Sequence, residues 1–169
     1  ISPTVMLTAG HCAELNQSAR VWFGETQVAN NAAGYPYTGG VTGQAHTYPQ
    51  WRGGLYLPDT GDAGVVVLDE PVDLDFYAAL APANYLDDLA TARGAKDVNF
   101  EVVGYGLQEV RPRYSSVRER LKAWVQLVNL GSALTDGYNL QTTNAQGKGT
   151  GGGGTCFGDS GGAIFTRSH

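Results

Sequence analysis

The chain has 169 residues, enough for one ordinary domain or two small packed halves. Only 16% of them are charged and 24 are glycine, a profile of many turns and short elements rather than long charged helices. A net charge of −5 argues against a nucleic-acid partner, and no apolar run approaches the roughly 20 residues of a membrane span.

Val5–Leu7 reads as a short apolar strand that runs into the small-residue turn Thr8-Ala9-Gly10-His11-Cys12. Ala19–Phe23 is strand-like. Gln27–Gly43, rich in Asn, Gly, Pro and Tyr, reads as a solvated surface loop. Gln44–Tyr48 is a further strand, closed by Pro49, and Gly53–Asp62 is rich in turn residues. Ala63–Leu68 is a continuous β-branched run of the kind expected in a buried strand. Leu80–Lys96 is Ala-rich without alternation and reads as a linker with one helical turn over Tyr85–Arg93. Phe100–Tyr105 is a strand, punctuated by Gly104 and Gly106. Arg111–Lys122 is the most basic stretch, but it also holds Glu119 and reads as a solvated face. Leu121, Ala123, Val125, Leu127 and Asn129 recur with period two, which predicts a strand over Leu121–Leu130. Tyr138–Thr142 and Gly162–Thr166 complete the set. Many short strands separated by turns predict an all-β sandwich or barrel architecture.

The chain opens at Ile1 without an initiator methionine and closes just after the apolar run Ala163-Ile164-Phe165. Both ends read as cut through structure rather than placed in solvated tails. Cys12 and Cys156 have no metal-site spacing, and no metal or cofactor is expected. They could be free thiols, one mutual bridge, or two half-bridges with partners outside the chain.

The strongest chemical signal is Gly158-Asp159-Ser160-Gly161-Gly162. Glycines let a substrate approach the main chain closely, and a serine on such a turn can present its hydroxyl to a carbonyl. Ser160 is the candidate nucleophile, with the Gly158 and Ser160 N–H groups as the candidate oxyanion hole. A serine needs a base, and the candidates are His11, His46 and His169. His46 sits in a strand and His169 is the last residue. His11 follows an apolar strand in a turn that can aim a side chain into a cleft. The base needs an orienting acid. Asp62 leads into the buried strand and must find hydrogen-bond partners, whereas Asp59 and Asp69 flank proline turns that suit solvated acids.

Thr8-Ala9-Gly10-His11-Cys12, Asp62-Ala63-Gly64-Val65-Val66-Val67-Leu68 and Gly158-Asp159-Ser160-Gly161-Gly162 resemble the histidine, aspartate and serine motifs of the trypsin/chymotrypsin-like serine proteases, in that family's order. Val102-Val103-Gly104-Tyr105-Gly106 is similar to the first strand motif of its second barrel, with Tyr105 where tryptophan is usual. Asp69-Glu70-Pro71-Val72 and the low cysteine count look more bacterial than vertebrate. The resemblance implies two packed antiparallel Greek-key β-barrels, incomplete at their N- and C-terminal edges. Residues 1–82 would carry His and Asp in the first barrel, 83–97 would be the linker, and 98–169 would carry Ser in the second.

Roles follow from the same resemblance. His11 is expected to be general base and then general acid, Asp62 to orient it, and Ser160 to form an acyl-enzyme. Asp159 is expected to ion-pair with the amino terminus freed on activation, or, more simply, to cap its turn. The family's first strands and its last segments would lie outside residues 1–169, so Cys12 and Cys156 would be half-cystines, which implies an oxidising, secreted setting. Gly64 stands where a bulkier residue or alanine is commoner, and Ala163 where proline is common. In members with basic specificity an aspartate stands six residues before the serine; here that position is Gly154, which predicts no strong Arg/Lys preference. The expected partners are protein or peptide substrates of a monomer, with neither nucleic acid nor membrane. The competing readings are a catalytically silent protease-like binding domain and an inactive piece of a protease.

Overall fold

A computed structural model describes residues 1–14, 17–24, 39–89, 98–110, 112–117, 119–144 and 153–166. Among the described residues, eight strands form two four-stranded antiparallel sheets. The first sheet contains β1 (Val5–Thr8), β2 (Ser18–Val21), β3 (Val41–Thr47) and β4 (Gly64–Leu68), in the order β1-β4-β3-β2. The second contains β5 (Asn99–Gly104), β6 (Leu121–Asn129), β7 (Gln141–Thr142) and β8 (Ile164–Thr166), in the order β7-β6-β5-β8. In each sheet three successive strands lie side by side and the fourth crosses over to the far edge, which is Greek-key connectivity. These are the two antiparallel halves expected of a chymotrypsin-like fold.

Each sheet builds its own core from one face. Ala45, Val66 and Leu68 of the first sheet are buried with Ala13, and Met6, Ala19, Val21 and Val41 pack around them. In the second, Phe100, Val102, Val125 and Leu127 are buried, with Leu86, Leu89 and Ala123 packed against them. The two-residue period of β6 is what places Val125 and Leu127 on one side of the pleat. Each of the buried Val, Leu and Phe side chains contributes about 1.5–3 kcal/mol relative to exposure.

Several boundaries differ from the sequence reading. The β-branched run of β4 is not buried on both faces: Val66 and Leu68 point into the core, while Val67 is 42% exposed. Both sides of β4 are hydrogen-bonded, to β1 and β3, but only one face is covered, so alternation applies after all. Val41–Gly43 belongs to β3 rather than to the preceding loop; residues 27–38 of that loop lie outside the described residues. Tyr138 and Asn139 are not strand, because their N–H groups turn back to the Thr135 carbonyl at 2.7 and 3.2 Å. Gly162 likewise closes a turn, its N–H donating to the Asp159 carbonyl at 2.9 Å. The helical turn is α2 (Tyr85–Asp88), and residues 90–97 of the linker lie outside the described residues.

Phe100 fills the second core at 2% exposure. Phe100→Ala is expected to lower stability by about 3–5 kcal/mol. Val67→Thr, on the open face, is expected to change it by under about 0.5 kcal/mol. Urea unfolding followed by circular dichroism measures both.

Candidate active site

The antiparallel register pairs Thr8, the last residue of β1, with Gly64, the first of β4. The residues just after β1 and just before β4 are therefore neighbours. After Thr8 the chain enters α1 (Gly10–Ala13), whose first turn closes when Cys12 and Ala13 donate their N–H groups to the Ala9 carbonyl, both at 3.2 Å. Ala13, 1% exposed, anchors this turn in the core and leaves His11 on its open side. Gly64 explains its own size: a Cβ there would stand 2.8 Å from the Ala13 Cβ and 3.0 Å from the Ala9 carbonyl oxygen. A larger residue would lift α1 off the sheet.

Asp62 holds His11 at two points. The His11 backbone N–H donates to Oδ1 at 2.8 Å, and imidazole Nδ1 lies 2.8 Å from Oδ2. A carboxylate can only accept, so Nδ1 carries a proton, and in the neutral ring Nε2 is then the nitrogen with the free lone pair, the tautomer a general base needs. The Asp62 side chain is 15% exposed and that of His11 39%, so the acid sits behind the base. Asp59 is exposed, and Asp69 accepts instead from the Thr42 hydroxyl. His46 lies exposed on β3, opposite Val65. His169 lies outside the described residues.

Ser160 sits on a double turn. Asp159 N–H donates to the Cys156 carbonyl at 3.1 Å, and Gly162 N–H to the Asp159 carbonyl at 2.9 Å. The third residue of each turn is a glycine, Gly158 at φ 97° and Gly161 at φ 78°. Left-handed backbone at that position is the type II turn requirement, which any side chain would strain. Ser160 is thereby exposed at the second position of the second turn. Among the described residues the Gly158 and Ser160 N–H groups donate to no acceptor, and both residues are exposed.

The serine turn touches the histidine turn. A Cβ on Gly161 would collide with Thr8 Oγ1 and stand 2.9 Å from the Ala9 nitrogen. The Cys12 thiol donates to the Ser160 carbonyl at 3.6 Å. The structure thus brings the Ser160 backbone against the residues flanking His11. Among the described residues the Ser160 hydroxyl makes no hydrogen bond, to His11 or to anything else.

Asp159 is held within the chain. Its carboxylate accepts from Gly106 N–H at 2.7 Å and from Cys156 N–H at 2.9 Å. The Cys156 contact is the turn-capping role expected as the simpler alternative; the Gly106 contact was not expected, although Gly104 and Gly106 were its signal: at either one a Cβ would run into the Asp159 carboxylate. Gly154 lines a cavity of about 710 Å³ together with Val103, Leu107, Leu121, Ala123 and Asp159. Cys156 and Asp159 of the serine turn line it, whereas Ser160, His11 and Asp62 do not. A Cβ on Gly154 would be blocked by the Asn144 side chain. Cys12 and Cys156 are both free, so the mutual bridge is not formed. Among the described residues no group of His, Cys, Asp and Glu is arranged to hold a metal, and no helix is long and apolar enough to cross a membrane.

Two antiparallel sheets, a histidine–carboxylate pair on one and a glycine-flanked serine turn leading into the other, define the class of serine-protease-like β proteins. The family model described as Trypsin matches residues 1–169, and the chain belongs to that family. No curated protein matches it in sequence.

The hydrogen-bond pattern predicts the tautomer of His11. At neutral pH, ¹⁵N NMR of the imidazole is expected to show a protonated Nδ1 and a bare Nε2. Asp62→Asn can offer an amide proton to Nδ1 and is expected to move the proton to Nε2; an unchanged spectrum in that variant argues against the assignment.

Proposed function

We propose that the protein is a serine endopeptidase that hydrolyses peptide bonds through His11, Asp62 and Ser160. The observation that carries the reading is the two-point hold of Asp62 on His11, in a member of the trypsin family whose serine turn packs against Thr8 and Ala9. His11 Nε2 takes the Ser160 proton as Oγ attacks the substrate carbonyl, and Asp62 stabilises the imidazolium that results. The Gly158 and Ser160 N–H groups receive the developing oxyanion. His11 then returns the proton to the departing amine, and water, activated by the same base, releases the acyl group. Asp159, seated on two backbone amides, holds the turn that aims those donors; it is also the proposed acceptor for an activating amino terminus.

The wider reading is a secreted enzyme acting as a monomer on protein or peptide substrates. Cys12 and Cys156, both free, are proposed half-cystines whose partners lie outside residues 1–169.

A fluorophosphonate probe tests the mechanism, because Ser160 Oγ displaces fluoride from phosphorus only when a base takes its proton. Labelling is expected on Ser160 and is expected to vanish in Ser160→Ala and His11→Ala. Asp62→Asn is expected to lower kcat by about 10⁴-fold, the size of this change in the family's template triad. Labelling that survives the loss of His11 rejects the mechanism.

Gly154 places no charge six residues before the serine, which supports a preference for small or apolar side chains over Arg and Lys. Matched peptide substrates ending in Arg, Phe and Ala are expected to rank with Arg last in kcat/KM; a dominant Arg substrate overturns the proposal.

A further inference from the structure

Between the end of β5 and the loop that follows lies Gly104-Tyr105-Gly106, a strip with one side chain. Its two glycines leave the space that the Asp159 carboxylate occupies. Gly106 N–H donates to Asp159 Oδ1 at 2.7 Å, and the next residue, Leu107, donates its N–H to the Phe157 carbonyl at 2.9 Å. Of the residues flanking Gly158, Asp159 is therefore bonded to the strip and Phe157 to the residue that follows it. Tyr105 leaves it in the other direction. Its hydroxyl donates to the Gly24 carbonyl at 2.8 Å, across 81 residues of chain, just beyond β2 of the first sheet. Gly24, Tyr105 and Asp159 are all partly buried, so this line of bonds is shielded from competing water.

We infer that Tyr105 is a positioning residue for the oxyanion-binding turn. Anchored on Gly24, its phenol sets where Gly106 and Leu107 hold Phe157 and Asp159, and so sets the aim of the Gly158 and Ser160 N–H groups. The half of the protein that carries His11 and Asp62 thereby registers the donors of the other half through a bond that is not part of the Ser160–His11–Asp62 set. This inference rests on the proposed serine-protease activity for its kinetic consequence, but not for its structural one.

The test is Tyr105→Phe in the intact protein, which deletes the hydroxyl and keeps the ring. Amide hydrogen exchange at Gly106, Leu107 and Asp159 is expected to quicken on the order of 10-fold as the tie is lost, with the β6 amides unchanged. On a peptide amide substrate kcat is expected to fall about 10-fold, less than the 10²–10³ of deleting an oxyanion donor outright, with KM within about two-fold and the pH midpoint of kcat/KM unmoved. Tyr105→Trp, whose indole N–H can reach the same carbonyl, is expected to recover most of the kcat. Unchanged exchange at those three amides overturns the inference. So does a Tyr105→Phe protein that loses its fold, since the phenol then serves stability alone, or a kcat loss that Tyr105→Trp fails to restore. If the unsubstituted protein does not label with a fluorophosphonate, the proposed activity fails, while the exchange result still decides the role of Tyr105.

Discussion

The antiparallel pairing of β1 with β4 is the constraint on which the site depends. Thr8 opposite Gly64 forces the chain leaving β1 and the chain entering β4 to the same edge of one sheet. Asp62 then reaches His11 through both oxygens, one on the backbone N–H and one on the ring. The backbone contact holds the segment, and the ring contact orients the imidazole. Charge-assisted bonds of this kind are worth about 1.5–3 kcal/mol each when shielded, and the 15% exposure of the Asp62 side chain provides part of that shielding. A residue one methyl larger at position 64 would press on Ala13 and tilt the helix that carries His11. The glycine there is a packing requirement rather than a relaxed position.

The second half reaches this edge by contacts of a different kind. No strand runs between the two sheets among the described residues. They meet through the Gly161 turn lying on Thr8 and Ala9, the Cys12 thiol on the Ser160 carbonyl, the Tyr105 phenol on Gly24 and the Asn139 amide on Pro58. These are turn and side-chain contacts, each modest in energy. In the proposed mechanism base and nucleophile come from different halves.

Asp159 shows how a partly buried carboxylate is made tolerable. With a neighbour bearing a Cβ at 104 or 106 it could not enter its seat, and without the Gly106 and Cys156 N–H groups its partly buried charge would lose both of its backbone donors. The same two amides that satisfy its charge fix the turn ahead of Ser160. Electrostatic satisfaction and placement of the serine are one arrangement.

The sequence by itself determined most of the parts. Period-two burial made β6 legible, β-branched residues marked β4, and glycines at 158 and 161 announced turns that need left-handed backbone. The order of the histidine, aspartate and serine motifs pointed to the family that the chain belongs to. What it could not supply was everything that depends on which strands become neighbours. Val67 reads as core and is exposed, because coverage of a sheet face is a property of what packs on it and not of the strand. Tyr138 and Asn139 read as strand, but the nearby Thr135 carbonyl offers their N–H groups a tighter local partner. The seat of Asp159 and the reach of Tyr105 to Gly24 span 53 and 81 residues of chain. Local propensity carries no information over such distances. Only tertiary packing, by closing those loops, decided that a glycine pair at the end of one strand would hold the turn beneath Ser160.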